Sequence, residues 1–89
     1  MSRISYVNGR YLPHNQASVH IEDRGYQFGD GVYEVVLVLD KKLVDFEGHY
    51  KRLRRSLDEI SLVFDITDTI IKQIFKRLIR SNLINDWNV

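Results

Sequence analysis

Short apolar blocks divided by turn residues fill the first half of the chain, whereas apolar residues recur at three- and four-residue steps through the second half. That change of period predicts strands followed by helices. Ile4-Ser5-Tyr6-Val7 and Arg10-Tyr11-Leu12 flank Asn8-Gly9, two residues that tolerate positive φ, so a tight hairpin is expected there. Pro13 has no amide hydrogen and closes the second strand or leaves it at an edge. Residues 14–18 are polar, and Val19-His20-Ile21 is too short for periodicity to decide its state. Gly25, Gly29 and Gly31 fall with Asp23, Arg24 and Asp30 between residues 22 and 31, which reads as an ordered loop.

Residues 32–39 give the strongest strand signal. Val32, Val35, Val36 and Val38 are β-branched, and with Tyr33, Leu37 and Leu39 they predict a strand covered on both faces. Glu34 interrupts that run and must be paired or sit at the sheet rim. Asp40-Lys41 turns the chain into residues 42–46 as a second hairpin, although Lys41 has none of glycine's freedom. Tyr50, Leu53, Leu57 and Ile60 predict a helix over residues 47–62 with one buried stripe, its first turn weakened by Gly48. Asp65 and Thr67 offer a cap for a second helix with a broad apolar face of Ile70, Ile71, Ile74, Phe75, Leu78 and Ile79. With Thr67 as the cap, Ile66 and Ile71 take the staple positions. Lys72, Lys76, Arg77 and Arg80 lie toward the carboxyl end, where the helix dipole favours cations. Ser81-Asn82 ends this helix, and residues 83–89 read as a connector or the start of another strand. The segregation of strands and helices predicts an α+β fold: a two-layer α/β sandwich of antiparallel β-hairpins with two helices packed on one sheet face.

Length limits what this arrangement can bury. At 89 residues the chain makes one domain, spanning 1–89, and a domain of that size buries only about 60 to 65% of its unfolded surface. Its composition, 44% hydrophobic and 28% charged, fits a globular protein and not a disordered one. With 13 Lys and Arg against 12 Asp and Glu the net charge is +1, which lacks the basic excess of a nucleic-acid binder. No cysteine is present, so neither disulfide nor thiolate chemistry arises. No apolar run approaches the roughly 18 residues of a membrane span, and Met1-Ser2-Arg3-Ile4 lacks a secretion signal's apolar stretch. A cytoplasmic location without a membrane partner is therefore expected.

Candidate chemistry is sparse. A glycine-rich turn brings backbone amides close to an anion, and Arg52 on the following helix offers a phosphate two parallel hydrogen bonds. Loops also use Gly-Asp pairs simply to turn, and Gly29-Asp30-Gly31 fits neither a P-loop nor a dinucleotide fingerprint. Arg52 stands about 120° from the mean direction of the apolar stripe, at a rim or exposed face. Lys51, Arg54 and Arg55 read as a solvated helix face. His14, His20 and His49 form no metal-ligand pattern and suit hydrogen-bonding or surface roles. None of the serines sits in a nucleophile-elbow pattern. Asp23, Asp30 and Glu34 read as a polar cluster that stabilises the loop, and Tyr33 reads as a core residue whose hydroxyl reaches a partner.

Glu22-Asp23-Arg24-Gly25-Tyr26-Gln27-Phe28-Gly29-Asp30-Gly31-Val32-Tyr33-Glu34-Val35-Val36 resembles the amino-terminal signature of D-amino-acid aminotransferases, class IV enzymes that use pyridoxal phosphate. The resemblance continues through Glu47-Gly48-His49-Tyr50-Lys51-Arg52-Leu53 and both helices, and so covers essentially the whole chain. The Gly-Tyr-Gln-Phe-Gly-Asp-Gly form is more similar to the D-amino-acid and aminodeoxychorismate-lyase branches than to the branched-chain branch. By this resemblance Arg52 is the arginine that holds the cofactor phosphate. Tyr33 helps to receive the substrate carboxylate, with Val35 beside it on the same wall, and Gly29 and Gly31 shape the approach to the site. The resemblance further implies a homodimer, with a D-amino acid and a 2-oxo acid as substrates.

The same comparison implies a deficit. Family members are several times longer, and their Schiff-base lysine, their glutamate at the pyridine nitrogen and most of their phosphate-gripping turns lie in the part that this chain does not match. Lys41, Lys42, Lys51, Lys72 and Lys76 do not inherit the lysine's role, because it requires a held cofactor and a tuned proton affinity. The expectation is a truncated amino-terminal small domain with no catalytic residue or metal of its own, weak or no cofactor binding, and no activity alone. The alternatives are a non-catalytic dimerisation or regulatory module derived from the family, and a fragment of an aminodeoxychorismate-lyase-like or branched-chain enzyme. A nucleic-acid module built on Lys51, Arg52, Arg54 and Arg55 ranks last, given the near-neutral charge.

Overall fold

The computed structural model describes residues 3–84 and the backbone of residues 87 and 88. Strand β1 (Ile4–Val7) and strand β2 (Arg10–Pro13) form the first hairpin. Asn8 at φ 48° and Gly9 at φ 87° supply the left-handed pair that matches the twist of the flanking strands. The rings of Tyr6 and Tyr11 meet edge to face across the pair, with centroids 5.0 Å apart. A 3₁₀ turn at His14–Gln16 follows, and then a short helix, α1 (Arg24–Phe28), in the region expected to be loop.

The second hairpin joins β3 (Leu37–Leu39) to β4 (Lys42–Leu43) through Asp40 at φ 50° and Lys41 at φ 65°. The expected turn therefore forms without glycine, at a strain of about 1 kcal/mol for each left-handed residue. Strand β5 (Trp87–Asn88) pairs antiparallel with β3, so the order β4-β3-β5 makes a sheet separate from the β1-β2 pair. The strand alternative for residues 83–89 holds at Trp87–Asn88, whereas residues 85, 86 and 89 lie outside the described residues.

Helix α2 (Phe46–Glu59) begins one residue before the expected range and ends three before it. Ser61 adopts φ 55°, and the amides of Leu62 and Ser61 donate back to the carbonyls of Leu57 and Asp58 at 2.9 and 3.0 Å, which closes the helix end. Helix α3 (Asp68–Ser81) begins at the expected cap, where Thr67 Oγ1 accepts from the Ile70 amide at 3.2 Å. Leu83 at φ 53° closes its far end by the same pattern.

Two corrections concern residues 32–39. Only Leu37–Leu39 form ladder bonds, because β4 and β5 are short and reach only that end of the run. Accessibility nevertheless alternates along the whole run: Val36 and Val38 are buried, while Tyr33, Val35, Leu37 and Leu39 are exposed. The run is therefore covered on one face and not on both. Val36, Val38, Phe46, Leu57 and Ile79 make the core on that face, and the Phe46 ring meets Phe75 edge to face at 6.1 Å to join α2 to α3. Tyr33 is consequently no core residue.

The fold is α+β, as expected: two antiparallel hairpins with helices. Long-range polar contacts lock it together. Asn82 accepts from the Ile4 amide at 2.7 Å and donates to the Ile4 carbonyl at 3.0 Å, while Arg77 lies 4.0 Å over the Tyr11 ring, so the first hairpin is held by α3. Tyr50 donates to the Ile66 carbonyl and Arg54 to that of Phe64, pinning the connection between α2 and α3. Among the described residues no helix is long and apolar enough to cross a membrane.

Candidate functional site

The signature region folds into a small self-closed unit. Asp23 caps α1 by accepting from the Gly25 amide at 2.9 Å, and Gly29 ends it in the left-handed conformation at φ 74°. A side chain at that position would be strained, which gives Gly29 a conformational reason for its place. Gly31 has neither a positive φ nor a neighbour within 4 Å of where a Cβ would stand. Arg24 donates from Nε to Asp30 Oδ2 at 2.6 Å and lies 4.7 Å over the Phe28 ring. Asp23 and Asp30 thus stabilise the loop, and Glu34 belongs elsewhere.

Glu34 is the centre of the more consequential cluster. His49 and Arg52 stand three residues apart on α2 and so share a helix face. Arg52 donates from Nε to Glu34 Oε2 at 2.7 Å and from Nη2 to Oε1 at 2.8 Å, a bidentate pair. His49 Nδ1 donates to the same Oε1 at 2.7 Å, since an ionised carboxylate only accepts. The Glu34 side chain is 11% exposed and that of Arg52 55% exposed, so the carboxylate is sheltered and the guanidinium faces solvent. Hydrogen bonding from Arg52 above all, with help from His49, lowers the Glu34 carboxyl from its ordinary 4.5 to about 2 against the opposing effect of burial. Arg52 is raised in return by the Glu34 hydrogen bond and by the Glu34 charge.

Arg52 therefore lies at a rim, as its helical angle predicts. Tyr33 is 85% exposed and Val35 half exposed, both on the uncovered side of the extended run. Glu34 and His49 were visible in the sequence only as a charge in an apolar run and a histidine without metal-ligand spacing. Two open grooves share Lys41, Lys76 and Ile79 and are lined by none of Arg52, Tyr33 and Val35.

One edge of this cluster could hold a phosphate group. Glu34 uses the Nε and Nη2 donors of Arg52, and among the described residues Nη1 has no partner. The edge formed by Nη1 and the second Nη2 hydrogen suits two phosphate oxygens.

No family model matches the chain. Individual relatives do. The chain is 42% identical over 83 residues to a D-alanine aminotransferase from Listeria innocua, a match that covers 93% of this chain and 29% of the relative. Enzymes of the same name from Staphylococcus epidermidis and Bacillus licheniformis are 38% and 39% identical, over 86% and 89% of this chain and 27% and 28% of theirs. The chain thus spans about three-tenths of the length of the curated relatives it matches. Between 86% and 93% of the chain takes part in these matches, so nearly all of its sequence is similar to D-alanine aminotransferases, a pattern consistent with the amino-terminal part of a class IV aminotransferase.

Proposed function

We propose that these 89 residues serve as the amino-terminal small domain of a pyridoxal-phosphate-dependent aminotransferase that moves an amino group between a D-amino acid and a 2-oxo acid. The observation that carries this reading is Arg52, fixed by Glu34 with its terminal edge open to solvent. In the assembled enzyme that edge binds the cofactor phosphate. The cofactor, when bound, supplies an electron-withdrawing ring that makes the bonds at the amino-acid α-carbon breakable. The chain's own residues bind and orient. The Tyr33 hydroxyl donates a hydrogen bond to the substrate carboxylate, and its ring together with Val35 excludes water from that wall. Gly29 and Gly31 shape the approach from the loop. None of Lys41, Lys42, Lys51, Lys72 and Lys76 is assigned a covalent role, and Lys72 is engaged by Glu47 at 2.8 Å. The reading includes a homodimer and a cytoplasmic location.

The 89-residue chain by itself is expected to give no turnover of D-alanine and 2-oxoglutarate. Substituted for the matching segment of the Listeria innocua enzyme, it is expected to leave that transamination measurable, and Arg52→Ala in this chimera to weaken cofactor binding roughly tenfold or more. A folded but inactive chimera would defeat the proposal. So would turnover by the chain alone that persists after removal of any full-length enzyme.

A further inference from the structure

We infer that Glu34 is a positioning residue for cofactor binding: it holds the Arg52 guanidinium so that the Nη1–Nη2 edge meets a phosphate, and His49 fixes Glu34 in turn. The inference rests on the reading of Arg52 given above and extends it to two residues that touch no cofactor themselves. Arginine is long and rich in rotamers, so an exposed guanidinium must be ordered before it can make two parallel bonds. Glu34 does this ordering beforehand. Its two oxygens take the Nε and Nη2 donors at 2.7 and 2.8 Å, which fixes the plane of the guanidinium and the direction of its free edge. The His49 bond to Oε1 at 2.7 Å keeps the carboxylate from rotating, and the low exposure of Glu34 keeps water from competing.

A carboxylate behind an anion site also repels the anion. Here the repelled group lies beyond the guanidinium and at its solvent side, where water screens the repulsion, whereas orientation acts directly on the bonds formed. Positioning is therefore the larger effect, and loss of Glu34 lowers phosphate affinity.

The test compares pyridoxamine phosphate with pyridoxamine, which lacks the phosphate and, like its partner, has no aldehyde to react with surface lysines. Dissociation constants of the 89-residue chain for both are read from the Arg52 Nε–Hε signal or neighbouring amide signals by NMR. The preference for the phosphorylated compound is expected to vanish in Arg52→Ala and to fall roughly three- to tenfold in Glu34→Gln. His49→Ala, which leaves both partners of the ion pair in place, is expected to give a smaller fall and a broadened Nε–Hε signal. A general loss of packing would weaken both compounds alike and leave their ratio unchanged. If Arg52→Ala keeps the preference, or if the Listeria innocua chimera carrying the wild-type segment shows none, the cofactor reading itself fails. If Arg52→Ala removes the preference while Glu34→Gln preserves or strengthens it, the reading of Arg52 stands and the positioning role is overturned.

Discussion

Glu34 accepts hydrogen bonds on both oxygens from side chains that lie 15 and 18 residues further along the chain. Its carboxyl is lowered from 4.5 to about 2, chiefly by the Arg52 hydrogen bond. A group whose folded value is depressed contributes stability that is complete above the unfolded value and disappears as the pH falls through the folded one. The window for Glu34 is thus between about 4.5 and 2. Urea midpoints measured from pH 6 downward are expected to decline through that window in the wild type and to decline less in Glu34→Gln, the two curves approaching each other near its acid end. Parallel curves would show that Glu34 contributes no such linkage. The sequence marked Glu34 as a charge that needed a partner, but its partners were not legible. A pair so distant along the chain is fixed by how α2 packs, and neither periodicity nor composition encodes that. Arg52 was legible as a rim residue because its helical angle depends on local spacing alone.

Elements whose geometry is local were read correctly. The Asn8-Gly9 turn and the Thr67 cap need only neighbouring residues, and both occur where the sequence places them. Thr67→Ala is expected to destabilise the chain by about 1 kcal/mol, with Thr67→Ser close to wild type. Thermal or urea unfolding of the two variants checks this, and an unchanged Thr67→Ala would mean that the cap bond is matched by water. Elements that depend on neighbours were read less well. The β-branched, apolar content of residues 32–39 predicts a strand over the whole run, but ladder bonds also need an adjacent strand, and among the described residues none pairs with residues 32–36. Helix α1 was missed because five residues held by a cap and an ion pair leave no periodic signature.

For the molecule as a whole, the amount of uncovered apolar surface is decisive. The chain is flat, with extents of 35 × 31 × 18 Å, and Tyr33, Val35, Leu37, Leu39 and Val44 are all exposed. Val44 donates to Leu37, which places the two residues side by side across the hairpin and makes the patch continuous. Contiguous apolar patches of a few hundred Å² mark association surfaces in soluble proteins. Sedimentation equilibrium is therefore expected to reveal self-association at high concentration, and Leu37→Lys with Leu39→Lys to shift the chain toward monomer. A single species of 10.5 kDa at every concentration would refute this. A thin core was legible from the chain's length, but the uncovered face was not, because an apolar run with residues of both parities looks the same whether one face or two is packed.

The Asn82 clamp on Ile4 also orders events in time. Seventy-eight residues separate its two ends, so the contact closes nearly the whole chain into one loop and cannot form early. As the chain leaves the ribosome, the first hairpin can zip at once because its turn is local, but it has nothing to dock against until α3 has emerged and coiled. Strand β1 is made before α3 and secured only after it, and until then the Ile4 backbone groups depend on water instead of Asn82.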